Sequence, residues 1–160
     1  MRNLISACVL VAVMALACTP SQGSPSSKSS ATSQPSGLGA SGCQPVSPTR
    51  AFTGEVQGTA TGGTVWAWFM QSYPPQAGVE DKTVFRLNGP GITGPPTFTL
   101  VGPAGASGSL NWGPEGHLGS TWNRPGNEYG TGLLFPVPGC WDVHVSVGDV
   151  TGDVYVVVAS

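Results

Sequence analysis

Charged side chains are scarce in this chain of 160 residues: Asp, Glu, Lys and Arg together make up 9%, and the net charge is −2. Proteins that bind nucleic acid neutralise its phosphates with a patch of Lys and Arg. The chain has no such patch, so we expect no nucleic-acid partner. Long apolar runs are missing as well. The longest, residues 4–17, is short of the ~20 residues that a membrane-spanning helix needs.

Motifs of common catalytic and cofactor sites are also absent from the sequence. No two cysteines have C-x-x-C spacing, and no phosphate-binding G-x-x-x-x-G-K-[ST] loop is present. Residues 105–109 read G-A-S-G-S, which does not match the G-x-S-x-G turn of serine hydrolases. The sequence therefore predicts no enzymatic activity, no cofactor, no metal and no catalytic residue.

The first eighteen residues have the pattern of a bacterial export signal. A cationic start at Arg2 is followed by the apolar run, which ends in Ala15-Leu16-Ala17 immediately before Cys18. This pattern predicts a signal peptide at residues 1–17 and lipidation of Cys18, which would anchor the protein to the extracytoplasmic face of the cell membrane. Because Ala15-x-Ala17 also suits ordinary signal peptidase, the alternative is a secreted protein without an anchor.

Residues 18–48 consist mostly of Ser, Gly, Pro, Gln, Thr and Ala, and Lys28 is their only charged residue. Such a segment cannot bury enough apolar surface to offset the entropy of ordering it, so we expect a disordered linker. The folded domain is expected at residues 49–160, a common size for one domain. Outside the cytoplasm, Cys43 and Cys140 are the natural disulfide pair once Cys18 is assigned to lipid.

Apolar residues alternate with the period of two that is typical of β-strands. Residues 64–71 (T-V-W-A-W-F-M-Q) are apolar on both faces and predict a central strand that is covered on both sides. Trp141, Val143, Val145 and Val147 share one face of a later strand. Further strands are expected near residues 51–57, 82–87, 97–101, 107–112, 129–135 and 154–158. Seven or eight short strands separated by Gly and Pro predict an all-β fold, an immunoglobulin-like antiparallel β-sandwich.

Three stretches carry a resemblance: W-G-P-E-G-H at residues 112–117, W-N-R-P-G-N-E at 122–128 and F-P-V-P-G-C-W-D-V at 135–143. With the Val-rich last strand, they resemble small uncharacterised exported lipoproteins of actinobacterial type. The resemblance covers roughly residues 82–160. It implies an immunoglobulin-like sandwich and a location in the cell envelope, and it implies no activity.

Polar and aromatic residues concentrate in the Gly-rich residues 112–132, where we expect a loop between two strands. Loops on a rigid sandwich often carry binding residues, so six residues form a candidate ligand site: Trp112, Glu115, His117, Trp122, Arg124 and Glu128. In this interpretation exposed tryptophans offer their faces to a sugar ring, or the acidic and His side chains bind a metal ion together with His144. In the alternative, the tryptophans cap one end of the sandwich, Arg124 pairs with Glu128 and the loop binds nothing.

Two functional classes follow from these observations. The first, which we adopt, is a membrane-tethered module without enzymatic activity that binds an envelope protein or glycan, or supports an assembly. The second is a protein that binds a small ligand, glycan or metal through residues 112–132, and this class includes a hydrolase of unrecognised type.

Asp142 and His144 alternate with apolar residues and are expected as a solvated pair on the outer face of their strand, although a carboxylate near a histidine can also orient it for base catalysis.

Overall fold

A computed structural model of the protein describes residue 43, residues 46–50 and residues 52–160. The predicted signal peptide, the lipid site at Cys18 and the linker up to residue 42 lie outside the described residues. Within these ranges no helix is long and apolar enough to span a membrane. The described fold consists of nine strands: β1 (Glu55–Gln57), β2 (Thr59–Thr61), β3 (Thr64–Phe69), β4 (Glu80–Asn88), β5 (Thr97–Val101), β6 (Ser109–His117), β7 (Asn127–Leu134), β8 (Gly139–Val147) and β9 (Val150–Val158).

The strands form two antiparallel sheets that pack face to face. The five-stranded sheet has the order β1-β3-β4-β7-β6, and the four-stranded sheet has the order β2-β9-β8-β5. The predicted all-β, immunoglobulin-like sandwich is thus confirmed. The expected strand near residues 51–57 is the short β1, and the chain crosses to the other sheet at Gly58 to form β2, which was not predicted. A Cβ at Gly58 would lie 2.7 Å from the carbonyl oxygen of Asp153, so the crossing requires glycine.

The core lies between the two sheets and is built from alternate residues of each strand. Trp141, Val143 and Val145 on β8 are fully buried, as the alternation predicts, and they face Phe85 and Leu87 on β4 within one apolar cluster. Burial of each such side chain contributes about 1.5–3 kcal/mol. The core therefore fixes which face of every strand points outward, and with it the positions available for a functional site.

Strand β3 is covered on both sides, as its sequence predicts. Val65, Ala67 and Phe69 face the main core. Trp66 and Trp68 face outward and belong to a second apolar cluster on the outer side of the five-stranded sheet. A face that would otherwise be solvated is thus partly buried, and the residues that cover it define the candidate site.

The N-terminal part of the described chain is attached to the four-stranded sheet. Cys43 and Cys140 form the predicted disulfide, with their Cα atoms 4.9 Å apart. Ser47, which is buried, donates its amide N–H to the carbonyl oxygen of Tyr155 and accepts the N–H of Tyr155 on its hydroxyl, both at 2.9 Å. Chain that falls within the expected linker range is therefore tied to β9 before residue 49.

Candidate functional site

The outer face of the five-stranded sheet carries the residues that the sequence singled out. Antiparallel pairing places the outward side chains of neighbouring strands directly opposite one another. Across β3, β4, β7 and β6 the registers form three rows: Trp66, Arg86, Glu128 and His117; then Trp68, Val84, Gly130 and Glu115; then, from β4 onward, Lys82, Gly132 and Trp112. Strand β7 contributes Gly130 and Gly132 to the second and third rows, so it has no side chain there. Trp68 lies in the row of Gly130, and Trp112 lies in the row of Gly132.

The ring of Trp112 lies flat on the backbone of β7. A Cβ at Gly132 would overlap the indole nitrogen of Trp112, so the ring can take this position only because residue 132 is glycine. The indole N–H donates to Oε1 of Glu80 at 2.9 Å, and the side-chain amide of Asn111 donates to Oε2 at 2.7 Å. The hydrogen bonds from Asn111 and from Trp112 lower the pKa of Glu80. They also hold the tryptophan ring in one orientation.

Strand β6 is irregular where it supplies the site. Its pairing with β7 shifts between Leu110 and Trp112 and again between Trp112 and Glu115. Gly113 lies between them with a φ of +80°, in the left-handed region that favours glycine. Bulges of this kind redirect side chains. As a result the side chains of Trp112 and Glu115 both lie on the outer face of the sheet, although the two residues are an odd number of positions apart.

Residues 118–126 fold back over the other half of the face, and Trp122 is their anchor. Trp122 is 6% exposed and packs with Trp66 and Val84, while its ring centre lies 5.9 Å from that of Trp68. Its indole N–H donates to Oε1 of Glu55 at 2.7 Å. The expectation that Trp122 is an exposed ligand contact is therefore wrong, because the outward-facing tryptophans of β3 bury it.

Arg124 pairs with Glu55 rather than with Glu128, which corrects the pairing expected from the sequence. Its guanidinium donates to both carboxylate oxygens of Glu55, at 2.7 and 2.9 Å, and lies 3.9 Å above the ring of Trp66. The hydrogen bond with Glu55 raises the pKa of Arg124. Since Glu55 is only 1% exposed, these donors compensate the cost of burying its carboxylate. Arg124 thus fixes the loop and does not line the cleft.

Glu128 is held by two partners from neighbouring strands. Arg86 donates to Oε2 through Nε at 2.9 Å and through Nη2 at 2.8 Å, and Nδ1 of His117 lies 2.9 Å from Oε1. Nη1 of Arg86 also donates to the carbonyl oxygens of Arg124 and Gly126. The side chain of Glu128 is 5% exposed, whereas that of His117 is 63% exposed. Glu128 therefore orients the imidazole, and His117 presents its other edge to solvent.

These elements enclose a cleft of about 230 Å³. It is lined by the apolar residues Trp68, Met70, Val84, Trp112 and Gly130, and its polar lining groups are Lys82, Glu115, His117, Ser120 and Glu128. A more open depression of about 520 Å³ shares Gly116, His117, Ser120 and Glu128 with the cleft and runs on toward Asn127. The arrangement offers flat apolar faces with hydrogen-bonding groups around them, which is the general composition of a ligand site.

The six predicted site residues divide into two groups. The first group lines the cleft and consists of Trp112, Glu115, His117 and Glu128. The second group, Trp122 and Arg124, holds residues 118–126 on the sheet through hydrogen bonds to Glu55. Sequence reasoning missed Trp68, Lys82 and the two glycines of β7. The sequence contained signals for these residues. Strand β3 is apolar on both faces, and in the string E-Y-G-T-G at residues 128–132 the outward glycines alternate with the inward Tyr129 and Thr131.

A metal site assembled from the predicted acidic and His side chains is not supported by the geometry. His144 lies on β8 in the other sheet and pairs with Asp153 at 2.6 Å, and Asp153 rather than Asp142 is its partner. Glu128 is engaged by Arg86 and His117. In the part of the chain that the structure describes, no three His, Cys, Asp or Glu side chains come together in a way that could hold a metal ion.

Comparisons with known proteins add no assignment. No protein-family profile, no curated protein and no solved structure matches the chain.

Proposed function

We propose that the protein is a lipid-tethered extracytoplasmic binding module that presents the outer face of its five-stranded sheet to a ligand in the cell envelope. The cationic start at Arg2, the apolar run and the small residues before Cys18 support export and lipidation. A Ser-, Gly- and Pro-rich segment follows Cys18 and has the composition of a spacer. Lipid on Cys18 would hold the domain at the membrane while leaving the cleft accessible.

The observation that carries the binding role is the cleft between Trp68 and Trp112. Its tryptophans are fixed before any ligand arrives: Trp112 by Glu80 and the backbone at Gly132, and Trp68 by Trp122 and by Phe52, whose ring centre is 4.9 Å away. Preorganised aromatic groups lose little conformational entropy on binding. A purely supportive module has no physical need for two half-exposed tryptophans held around a glycine trough.

The convergence of His117 and Glu128 on one concave site favours a defined ligand over a broad protein interface. A protein interface of standard size covers about 800 Å² on each partner and is centred on a larger apolar patch. On this face Trp68 and Trp112 instead line one cleft of about 230 Å³. We therefore combine the two sequence-based classes: an envelope-anchored module without enzymatic activity whose task is to bind a ligand in that cleft.

The anchor is tested by intact mass. The full chain, produced through its own export segment in a bacterial host, should be recovered from membranes with a mass of residues 18–160 plus a diacylglyceryl and an acyl group, and Cys18→Ala should lose both. The binding role is tested by co-sedimentation of the detergent-purified protein with isolated envelope material. Binding that Trp112→Ala weakens supports the proposal, and absence of sedimentation contradicts it.

A further inference from the structure

We infer that the cleft between Trp68 and Trp112 binds a neutral sugar ring within a longer saccharide chain. This inference rests on the proposed function, since it names the ligand class of the same site. Its basis is four features: the aromatic residues that line the cleft, the missing side chain at Gly130, the charged groups at the edge of the cleft, and the depression that adjoins it. Each of these features excludes a different class of ligand.

The shape of the cleft fits a flat ring that lies on the sheet. Gly130 has no side chain, and a Cβ there would lie 3.4 and 3.6 Å from two indole carbons of Trp112, so the backbone of β7 is exposed to a ligand only beside the indole ring. The indole face carries negative potential, so it attracts the C–H groups that project from one face of a sugar ring.

The charged side chains that line the cleft carry both signs. Glu128 is paired with Arg86, whereas Glu80 accepts hydrogen bonds from two neutral donors and lies outside the lining of the cleft. The remaining charged groups at the edge are Lys82 and Glu115, one of each sign, and neither forms an ion pair with another described residue. A strongly anionic or cationic ligand would meet one unfavourable partner. A neutral ligand with many hydroxyl groups can donate to Glu115 and accept from Lys82 at the same time.

The size of the cleft indicates one ring rather than a whole small molecule. About 230 Å³ is below the ~300–1,000 Å³ typical of pockets that enclose a drug-sized ligand. The adjoining depression continues past His117 and Ser120, so a ligand can leave the cleft in that direction. An elongated chain with one ring held between the tryptophans and the next near His117 fits this trough.

The experiment uses the full-length, detergent-purified protein and a defined panel of probes. The neutral probes are hexasaccharides of glucose, mannose and N-acetylglucosamine together with neutral oligosaccharides released from bacterial envelopes, and hexagalacturonate is the charged counterpart. Binding is measured by calorimetry and by quenching of tryptophan fluorescence. We expect at least one neutral probe to bind more tightly than hexagalacturonate and to quench emission.

Variants then locate the binding. Trp112→Ala and Trp68→Ala each remove one stacking face and should weaken binding by about tenfold or more. Gly130→Val adds a Cβ at ordinary contact distance from Trp112 and a β-branched side chain that suits a strand, so it should fill the site and abolish binding. Cooperative melting of the variant checks that the fold is retained. Tyr155→Ala is the matched control, because it removes a half-buried aromatic residue from the outer face of the other sheet and should leave binding unchanged.

The outcomes separate this inference from the proposed function. A protein that sediments with envelope material but binds no neutral probe, or binds only hexagalacturonate, overturns the saccharide inference and leaves the envelope-binding role standing. Saccharide binding that survives Gly130→Val and both tryptophan variants overturns the assignment to this cleft. A protein that binds neither envelope nor saccharide contradicts both proposals.

Discussion

In both sheets, inward and outward side chains alternate along each strand, but the outer faces of the two sheets differ in what covers them. On the five-stranded sheet, residues 118–126 fold over the strands, and Trp122 and Arg124 are held there by the buried carboxylate of Glu55. On the four-stranded sheet, the outward residues of β8 and β9 include the facing pairs Asp142 with Tyr155 and His144 with Asp153, and the apolar Val157 is exposed. A covering loop thus turns one sheet face into a rigid, partly apolar site, while the other remains a surface with one covalent attachment.

Asp142 illustrates the difference between the two faces. Its Oδ1 atom is inaccessible and has no hydrogen-bond partner among the described residues. Burial, together with the nearby charge of Asp153, raises the pKa of Asp142 to about 6, although His144 acts in the opposite direction. Burial likewise raises the pKa of Tyr155. The carboxylates Glu55 and Glu128 on the opposite face are instead matched by Arg124 and Arg86.

The largest effect is expected from removing the covalent attachment on the four-stranded face. Replacing Cys43 and Cys140 together by Ser should lower the free energy of unfolding by about 4 kcal/mol, because the bond closes a 97-residue separation in the unfolded chain. Under non-reducing conditions the melting temperature should fall by roughly 10 °C or more. Cys18→Ser is the control, since it removes a cysteine outside the bridge. An unchanged midpoint in the double variant would contradict the stabilising role of the disulfide.

The corresponding change on the five-stranded face is Glu55→Ala. It leaves the donors of Trp122 and Arg124 facing an empty buried site, so we expect a loss of about 3 kcal/mol in the free energy of unfolding. Tryptophan emission should shift to longer wavelength as residues 118–126 detach. Glu55→Gln keeps an acceptor for the indole and should lose less. Glu115→Ala, an exposed glutamate on the same face, is the control. Equal stability of the Glu55→Ala and Glu115→Ala proteins would refute the anchoring of the loop.

The two glycines of β7 allow a test within a single strand. Gly132→Ala must displace the ring of Trp112 and should cost about 2 kcal/mol, whereas Gly130→Ala meets only ordinary contacts and should be neutral or stabilising by up to about 0.5 kcal/mol. Neither residue has a positive φ, so backbone strain does not confound the comparison. Near-ultraviolet circular dichroism should change for Gly132→Ala alone. The same change in both variants would show that the ring does not rest on residue 132.

The smallest effect concerns Asp142 and depends on pH. The pKa of Asp142 in the folded protein lies above the ordinary value of 3.8, so the fold favours the protonated carboxyl. The resulting stabilisation is complete below pH 4 and is lost as the pH rises through about 6. The shift corresponds to about 3 kcal/mol, which solvent screening of this partly buried group reduces to about 1 kcal/mol. Asp142→Asn should therefore stabilise the protein at pH 8 and have no effect at pH 4, in chemical denaturation at both pH values.

Asp149→Asn, at an exposed turn position, is the control for that measurement. It should give the same change in the free energy of unfolding at pH 4 and at pH 8. If Asp142→Asn also shows no difference between the two pH values, the buried, partly uncompensated carboxylate is not a property of the folded protein.

Much of the fold was accessible from the sequence because period-two alternation requires only local information. This alternation predicted the inward face of β8, the double coverage of β3 and the existence of β4. Cys43 and Cys140 could be paired because Cys18 was predicted to carry lipid, and the disulfide between them is confirmed. The break at Gly58 was missed, since a change of sheet depends on a close approach to β9 that local sequence does not reveal.

The candidate site was only partly accessible. Residues 112–128 could be recognised as rich in binding side chains, but Trp112 and Trp122 look alike in sequence, and only one of them lines the cleft. Arg124 was paired with the nearest carboxylate along the chain, whereas its partner Glu55 is 69 positions away. Proximity in sequence favours neighbours, but packing of the loop across β3 and β1 decided the pairing.

By itself, then, the sequence predicted the β class, the inner and outer faces of the main strands and the disulfide. The tertiary structure decided which outward residues become neighbours. The physical reason is that alternation assigns a side chain to a face, whereas hydrogen-bonded register between distant strands assigns it a place on that face. Trp68, Gly130 and Glu115 come from three separate segments and meet in one row only because β3, β4, β7 and β6 pair in that register.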